Sequence, residues 1–364
     1  KEYKEALYKN CLKYCWHTTA KHRYQRAIDI LRKDGTVICT IAPPFYSSNS
    51  IFSSKIVRNK LKTDNLLSDF NVRTPNSTVY DVADMEEAKK QSFSSEYDSV
   101  VIKPLYGSLG KGVMVDVSKD RFEINWNETA KFLSRDPNVM VQDYLEGFEA
   151  RALVIEGKLV SVVVRTPPFI KGDGIHTVDE LIDLSNEEKK KCDMRKNLLI
   201  KRSTLLTEYM TSKNIDLNSV PKANEYILLG SVSNVSNGGE LLNITDLVSN
   251  EIKEIALNAI GAVHGMYTGG VDIMMKDFED KEPVVIEVNA FPVLSISSFP
   301  TNGDVIPAAE RYISSVIAID QFKNNTKDNY DIPNSEELIK DYLKFVERKK
   351  KLYDNSYSNK ARYY

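Results

Sequence analysis

The sequence predicts an α+β fold, and three observations carry that reading. Residues 100–117 read as a strand, a glycine-rich loop and a second strand, a hairpin and not the strand-to-helix passage of a Walker loop or dinucleotide fold. Residues 271–292 read as two short strands joined by an acidic turn. Helical periods occupy segments around these strands, among them 55–70, 127–134, 245–264 and 335–352.

In chain order, Tyr3, Leu7, Cys11, Tyr14, Cys15, Ala27, Ile30 and Leu31 keep a helical period through residues 3–33, which Asp34-Gly35 ends. Residues 36–42 read as a strand running into Pro43-Pro44, and the Ser-rich run 47–54 as a loop. A basic helix over Lys55–Phe70 places Leu61, Leu66 and Leu67 on one face and carries Lys60. Val139–Tyr144 is a strand, and Arg151 and Arg165 lie on strands. Val160–Val164 is almost wholly apolar, so an arginine ending that run is partly buried and needs an anion, whether a ligand or a structural partner. Gly172-Asp173-Gly174 is a tight turn. Residues 183–224 read as lysine-rich and helical, 233–239 as a polar loop, and Gly269-Gly270 as a bend feeding the acidic strands. The Lys/Glu-rich helix near the C-terminus reads as a solvated surface or a contact in a homodimer.

The chemistry concentrates in the two hairpins. Residues i and i+2 of a strand share a face, so Glu287 and Asn289 project together, and Asp272 on the preceding strand joins them. Two carboxylates and an amide oxygen suit Mg²⁺ carrying a phosphate; a solvated acidic strand face is the alternative. Three glycines in six positions (Gly107, Gly110, Gly112) let backbone N–H groups approach an anion. Lys103 at the strand end adds a point charge, and Ser108 and Lys111 complete the cover. A plain glycine-rich hairpin is the alternative there.

Composition narrows the class. With 364 residues, 42% hydrophobic and 27% charged, the chain has room for two or three lobes and the make-up of an ordinary globular protein. A net charge of −2 gives no electrostatic case for nucleic acid or an anionic membrane, and no apolar run approaches the ~20 residues of a spanning helix. No signal-peptide pattern opens the chain, which starts at Lys1 without a Met, so the expectation is a cytoplasmic protein whose true N-terminus is missing or trimmed. Cys11, Cys15, Cys39 and Cys192 read as buried reduced thiols, since no second pair joins Cys11 and Cys15 in a tetrahedral site.

Lys103 with its loop, the acidic strands and the block from Gln142 to Leu181 together resemble the ATP-grasp carboxylate–amine ligases. Within that superfamily, residues 142–182 are similar to the ATP-grasp domains of cyanophycin synthetase and bifunctional glutathione synthetase. The string Phe148-Glu149-Ala150-Arg151-Ala152-Leu153-Val154-Ile155-Glu156-Gly157-Lys158-Leu159-Val160 carries the likeness, with Arg165-Thr166-Pro167-Pro168 and Gly172-Asp173-Gly174-Ile175-His176-Thr177-Val178-Asp179-Glu180-Leu181-Ile182. Asn59-Lys60, Val220-Pro221, Ser233–Gly239, Thr245-Asp246 and Pro300-Thr301-Asn302-Gly303 follow the same order.

The resemblance implies an ATP-grasp fold of two α+β lobes sandwiching ATP: a short N-terminal unit (1–52), an ATP-grasp domain (53–320) with a small lobe at 72–144 and a large lobe at 145–320, and a helical extension (321–364). It implies Lys60 and Lys103 on the phosphates, Gln142, Tyr144 and Leu145 on adenine, and Glu149 on the ribose. Glu is commoner at the position of Gln142. It further implies two Mg²⁺ ions, replaceable by Mn²⁺, on Asp272, Glu287 and Asn289. Arg165 would face the γ-phosphate and acyl phosphate, and Arg151 the phosphates or the substrate carboxylate. His176, Asn234, Ser236, Asn237, Gly238 and Gly239 fall on the substrate side, with Asn237 replacing the usual Thr. Cys192–Asn197 departs from a Pro-Arg-Arg-Gly-like pattern and leaves the substrate open.

The activity implied is ADP-forming amide synthesis between small-molecule carboxylate and amine substrates, through an acyl phosphate. No Walker-type motif follows residue 320 and no glutamate–cysteine ligase domain precedes the motifs, so a stand-alone amino-acid or peptide ligase is expected. A phosphotransferase without an amine, and a nucleotide-binding subunit of a larger synthetase, are the other readings.

Overall fold

A computed structural model describes residues 14–18, 26–42, 45–46, 48–93, 98–107, 110–133, 136–192, 195–196, 198–230, 238–325 and 330–360. The chain divides into two compact units, one of residues 1–160, 247–293 and 308–364, the other of residues 161–246 and 294–307.

The first unit opens with an antiparallel sheet of β1 (Tyr14–Thr18), β2 (Arg26–Leu31), β3 (Val37–Ala42) and β4 (Phe45–Tyr46), in that order. Within the helix expected over 3–33, the described residues 14–18 and 26–31 are therefore strands. Ala27, Ile30 and Leu31 fit a helical period, but a short apolar run fits either period. Pairing decides: Ile28 lies opposite Ile41 and Ile30 opposite Cys39, burying one face. Cys15 is thus on a strand, and Cys11 lies outside the described residues.

The expected helix over 55–70 is two helices, Ile51–Val57 and Lys60–Asp69. Asn59 breaks them because its extended backbone caps the second, its Oδ1 accepting from Lys62 N–H at 2.9 Å. A second antiparallel sheet follows, ordered β5 (Ser77–Asp81), β8 (Asn138–Asp143), β6 (Ser99–Pro104), β7 (Met114–Ser118). One face packs Val100, Ile102, Val117, Val139 and Val141 on Ala88, Phe122 and Trp126 of the helices Met85–Ser92 and Phe122–Ala130. The second of these helices starts earlier than the expected 127–134, because Phe122 and Trp126 set its buried stripe. Strand alternation then turns Val101, Lys103, Met140 and Gln142 to the opposite face.

β9 (Phe148–Ile155), β14 (Gly269–Met275) and β15 (Val284–Asn289) form an antiparallel ladder with β14 in the middle. Gly269 and Gly270 begin β14 and are not a bend. The helix Asn250–Ala262, shorter than expected, is capped by Ser249. The C-terminal helix Ser335–Lys360 is not solvated all round: Leu338, Tyr342, Phe345 and Lys349 recur at helical spacing and are buried. Lys349 donates to the carbonyls of Gly261 (2.8 Å) and Val263 (2.9 Å), closing the end of the 250–262 helix.

β10 (Lys158–Thr166) lies in the second unit from Ser161 on, where its Val163–Thr166 pair antiparallel with β13 (Glu240–Asn243), and β11 (Phe169–Lys171) pairs with β12 (Tyr226–Leu228). The expected lysine-rich helix is two, Val178–Lys190 with a Thr177/Glu180 capping box and Thr204–Ser212 capped by Ser203. Ile170, Val178, Leu181, Ile182, Leu206 and Met210 join their faces. Among the described residues no helix is long and apolar enough to cross a membrane.

Candidate functional site

The acidic cluster is built by strand register. Asp272 on β14 lies directly opposite Glu287 on β15, and Gly270 opposite Asn289, with an irregularity after Asp272. The Asn289 amide donates to Asp272 Oδ2 at 3.4 Å. On its other side Asp272 is opposite Arg151 of β9. Arg151 Nη2 donates to Asp272 Oδ2 at 2.7 Å while Nε donates to Oδ1. The guanidinium that the sequence assigns to phosphate or substrate is thus engaged by Asp272, a carboxylate expected to hold metal. Gly270 leaves room for it, since a Cβ there would lie 3.1 Å from Arg151 Cδ. Glu149, two residues back on the same strand face, adds its charge to the guanidinium's surroundings.

Lys103 ends β6 on the sheet face away from the apolar core, only 7% exposed. Among the described residues it makes no ion pair, and burial lowers its pKa to about 8 against the nearby charge of Asp64. Glu287 and Asp272 also act on it, while Lys60 repels it. One corner of the first unit therefore gathers Lys60, Lys103, Asp272 and Glu287. Lys60 Nζ donates to Gly107 O at 3.3 Å, and Asn59 Nδ2 to Tyr106 Oη at 2.7 Å, tying the start of the 60–69 helix to the glycine loop.

The loop is anchored where β7 begins. Gly112 has φ +71°, and a Cβ there would come 2.8 Å from Phe132. Its carbonyl accepts from the buried Thr129 hydroxyl at 3.0 Å. Gly110 is also at positive φ, with open space around it, and Lys111 is exposed. Ser108 lies outside the described residues.

Sequence reasoning missed Asp64. This carboxylate is 6% exposed on the 60–69 helix and accepts from Ser77 Oγ at 2.8 Å and Gln142 Nε2 at 2.9 Å. Burial raises its pKa to about 6, opposed by the Ser77 bond and the charge of Lys103. Its signal was present: Thr63, Asp64 and Leu67 share the buried stripe, where an acid is out of place. Gln142 Nε2 also donates to Ser77 Oγ at 2.6 Å, which commits the amide nitrogen and leaves Oε1 as its acceptor. Tyr144 and Leu145 follow β8 half-buried.

In the second unit, Arg165 lies half-buried on β10 opposite Leu241. His176 is exposed, its Nδ1 2.6 Å from Asp173 Oδ2. That bond raises the imidazole pKa and, with two backbone N–H donors, lowers the Asp173 carboxyl to about 2. Asn234, Ser236 and Asn237 lie outside the described residues. Gly238 does not: its carbonyl accepts from Lys189 at 2.9 Å, and Lys189 pairs with Glu240 at 2.6 Å, both buried. Gly239 lies between them in sequence.

Lys103 is a buried cation without an ion pair among the described residues, and such a group suits a multiply charged anion. Asp272, Glu287 and Asn289 offer hard oxygen on one face of a strand pair, the donor chemistry of Mg²⁺. Arg151 holds both Asp272 oxygens and the Asn289 amide also donates to Oδ2, which leaves a further lone pair on Asp272 Oδ1 and the Asn289 amide oxygen as an acceptor.

A family model described as the ATP-grasp domain matches residues 57–293. Among curated proteins the chain is similar to the glutathione biosynthesis bifunctional protein of Clostridium perfringens, 29% identical over 274 residues covering 73% of this chain and 35% of that protein. It is also similar to cyanophycin synthetase of Synechocystis, 30% identical over 264 residues covering 71% of this chain and 30% of the relative. The chain thus spans about a third of the length of these relatives. Among solved structures, a bifunctional glutathione synthetase from Pasteurella multocida shares the fold with a TM-score of 0.64 at 23% identity, covering 83% of this chain and 42% of that one.

Proposed function

We propose that this chain, which belongs to the ATP-grasp family, is an ATP-dependent, ADP-forming ligase that joins the carboxylate of an amino acid or short peptide to an amine. The observation that carries the reading is the buried Lys103 ammonium, without an ion pair among the described residues, in a corner shared with Lys60, Asp272 and Glu287. Nucleotide phosphates supply the anion that such a cation lacks.

In this reading Lys60 and Lys103 neutralise the phosphates, and the backbone of Gly107–Gly112, with Ser108 and Lys111, covers them and excludes water. Gln142 offers Oε1 to the adenine amino group, beside Tyr144 and Leu145, while Glu149 accepts from the ribose. Asp272, Glu287 and Asn289 are the donors for Mg²⁺, as two ions with Mn²⁺ as a substitute, which when bound supplies charge neutralisation for in-line phosphoryl transfer. Arg151 acts through Asp272, holding its carboxylate in one orientation. The substrate carboxylate takes the γ-phosphoryl group, Arg165 balances the charge of the acyl phosphate, and the amine displaces phosphate to leave an amide. His176 and the 234–239 loop are assigned to the substrate side. The cytoplasm, where ATP is held, is the compartment, and a homodimer the assembly.

The test is product analysis across pairs of amino acids. ADP and phosphate should form, hydroxylamine should trap an acyl hydroxamate from the carboxylate substrate alone, and the amine should accelerate turnover. AMP and pyrophosphate as products would overturn the acyl-phosphate route. Glu287→Gln should raise the Mg²⁺ requirement more than the ATP requirement at saturating metal; equal effects at every metal concentration would remove Glu287 from the donor set.

A further inference from the structure

The first unit contains a cavity of about 170 Å³ whose lining includes none of the phosphate-corner residues. An engineered apolar cavity of about 150 Å³ takes up benzene, so this one has room for a molecule of amino-acid size. Ile38, Val316 and Ile319 give it an apolar wall. Cys39 and Ser48 line it as well, and the rest is charged and aromatic: Glu156, Asp320 and Lys323 with the rings of Tyr267 and Tyr342.

Glu156 is the residue that needs explaining. It is 5% exposed and sits at φ +45°, followed by Gly157 at φ +84°, in a two-residue turn after β9. Asn is the favoured residue at such a position. Thr268 ties it down, its hydroxyl donating to Glu156 Oε1 at 2.7 Å and accepting from Glu156 N–H at 3.1 Å. An amide side chain could make the same bond without burying a charge, so the turn alone does not call for an acid. Burial pushes the carboxyl above its usual range, opposed by the hydroxyls of Ser48 and Thr268 and the charge of Lys323. The other acid on the wall, Asp320, is already held by Arg32 through bonds of 2.9 and 2.5 Å.

Lys323 is exposed, its ammonium 4.7 Å above the centre of the Tyr342 ring, and the Tyr267 and Tyr342 rings lie 5.7 Å apart. The cavity therefore offers a buried carboxylate with two aromatic rings on its wall and a cation at an exposed position. Ring faces attract ammonium groups; here Lys323 already stands over Tyr342 and Lys349 over Tyr267 at 5.4 Å, so Glu156 carries the recognition of a ligand's ammonium.

We infer that this cavity binds a small zwitterionic α-amino acid, its ammonium on Glu156 beside Tyr267 and Tyr342 and its carboxylate on Lys323. The site is distinct from the phosphate corner. Thr268 precedes Asp272 by four residues, about 13 Å along an extended chain, and occupancy requires no nucleotide.

The full chain, without nucleotide, is titrated with single amino acids at millimolar concentration, following melting temperature and heat of binding. At least one amino acid should raise the melting temperature, and its N-acetyl and carboxamide derivatives should lose the effect. Glu156→Gln, which keeps a partner for Thr268, should weaken binding more than about tenfold. Lys323→Met, at an exposed position, should weaken it less and tests the site even if the first variant does not fold. Stabilisation by no amino acid, or undiminished binding to both variants, would overturn the proposal. It does not depend on the ligase reading, because no turnover is measured.

Discussion

Lys103 and Asp272 are both buried charges of the first unit, and the fold treats them differently. Asp272 is met on the neighbouring strand by Arg151, which binds it through two nitrogens. Lys103 has no ion pair among the described residues, and burial, helped by the charge of Lys60 and opposed by that of Asp64, pulls it down to about 8. The first arrangement is complete without a ligand; the second is not. A buried charge that packing has matched stabilises the fold whether or not it also meets a ligand, whereas one left without an ion pair is a candidate for a ligand's charge.

The largest effect that can break this contrast is on turnover. Lys103→Met should lower phosphate release by roughly 10²–10³-fold, because it removes a cation from a transferring phosphoryl group. Its melting temperature should hold or rise, since an uncompensated buried charge is replaced by an apolar chain of similar volume. Calorimetry beside the assay decides the matter: a fall of several degrees would show that the fold itself depends on Lys103.

Asp272→Asn should behave in the opposite way. It leaves the Arg151 guanidinium buried without its anion, a loss of about 3–5 kcal/mol in urea denaturation. The double variant with Arg151→Met should recover most of that stability but not the activity. Unchanged stability in the single variant would mean that Asp272 is not held as the register implies.

Asp64 sharpens the comparison because it lies between the two cases, bonded to neutral partners and close to a cation. Its folded pKa of about 6 stands above the unfolded 3.8. The folded state therefore holds the proton more tightly, and the stability so gained is present below 3.8 and lost as pH rises through about 6. Lys103 has the other sign among cations: with a folded pKa of about 8 against 10.5, stability is gained as pH rises from about 8 toward 10.5. Asp64→Asn should flatten the slope between about pH 4 and 6, by at most ~1.4 kcal/mol per unit. If the slope survives, the titrating group is elsewhere.

Both hairpins were legible in the sequence because their signals are local: glycine spacing and β-branched runs mark one, the i, i+2 pair of Glu287 and Asn289 the other. Family membership was legible too, in strings that keep their order along the chain. The N-terminal sheet was not. Ala27, Ile30 and Leu31 fit a helix as well as a strand, and only the non-local pairing of Ile28 with Ile41 and Ile30 with Cys39 separates the two. The break at Asn59 was hidden in the same way, since a cap in the middle of a basic run reads as one more polar residue. Partnership was the least legible property. Nothing in sequence spacing pairs Arg151 with Asp272, 121 positions away, or turns Asp64 inward to Gln142. Such contacts arise from strand register and helix docking, which no single segment encodes.

The smallest expected effect supplies the control for the buried pairs. His176 and Asp173 form a pair as short as many buried ones, 2.6 Å, but on an exposed turn. Two backbone N–H groups, of Ile175 and His176, also donate to Asp173 and hold the turn without the imidazole. Solvent screens the pair, so its strength at the surface is small whatever its length. His176→Ala should therefore leave the melting temperature nearly unchanged and alter kcat by less than about twofold, since an exposed pair contributes little. The informative quantity is KM for the carboxylate substrate, compared at pH 6 and pH 8. A KM raised several-fold at both values would put the imidazole in contact with substrate; an unchanged KM leaves it as a surface brace for the turn.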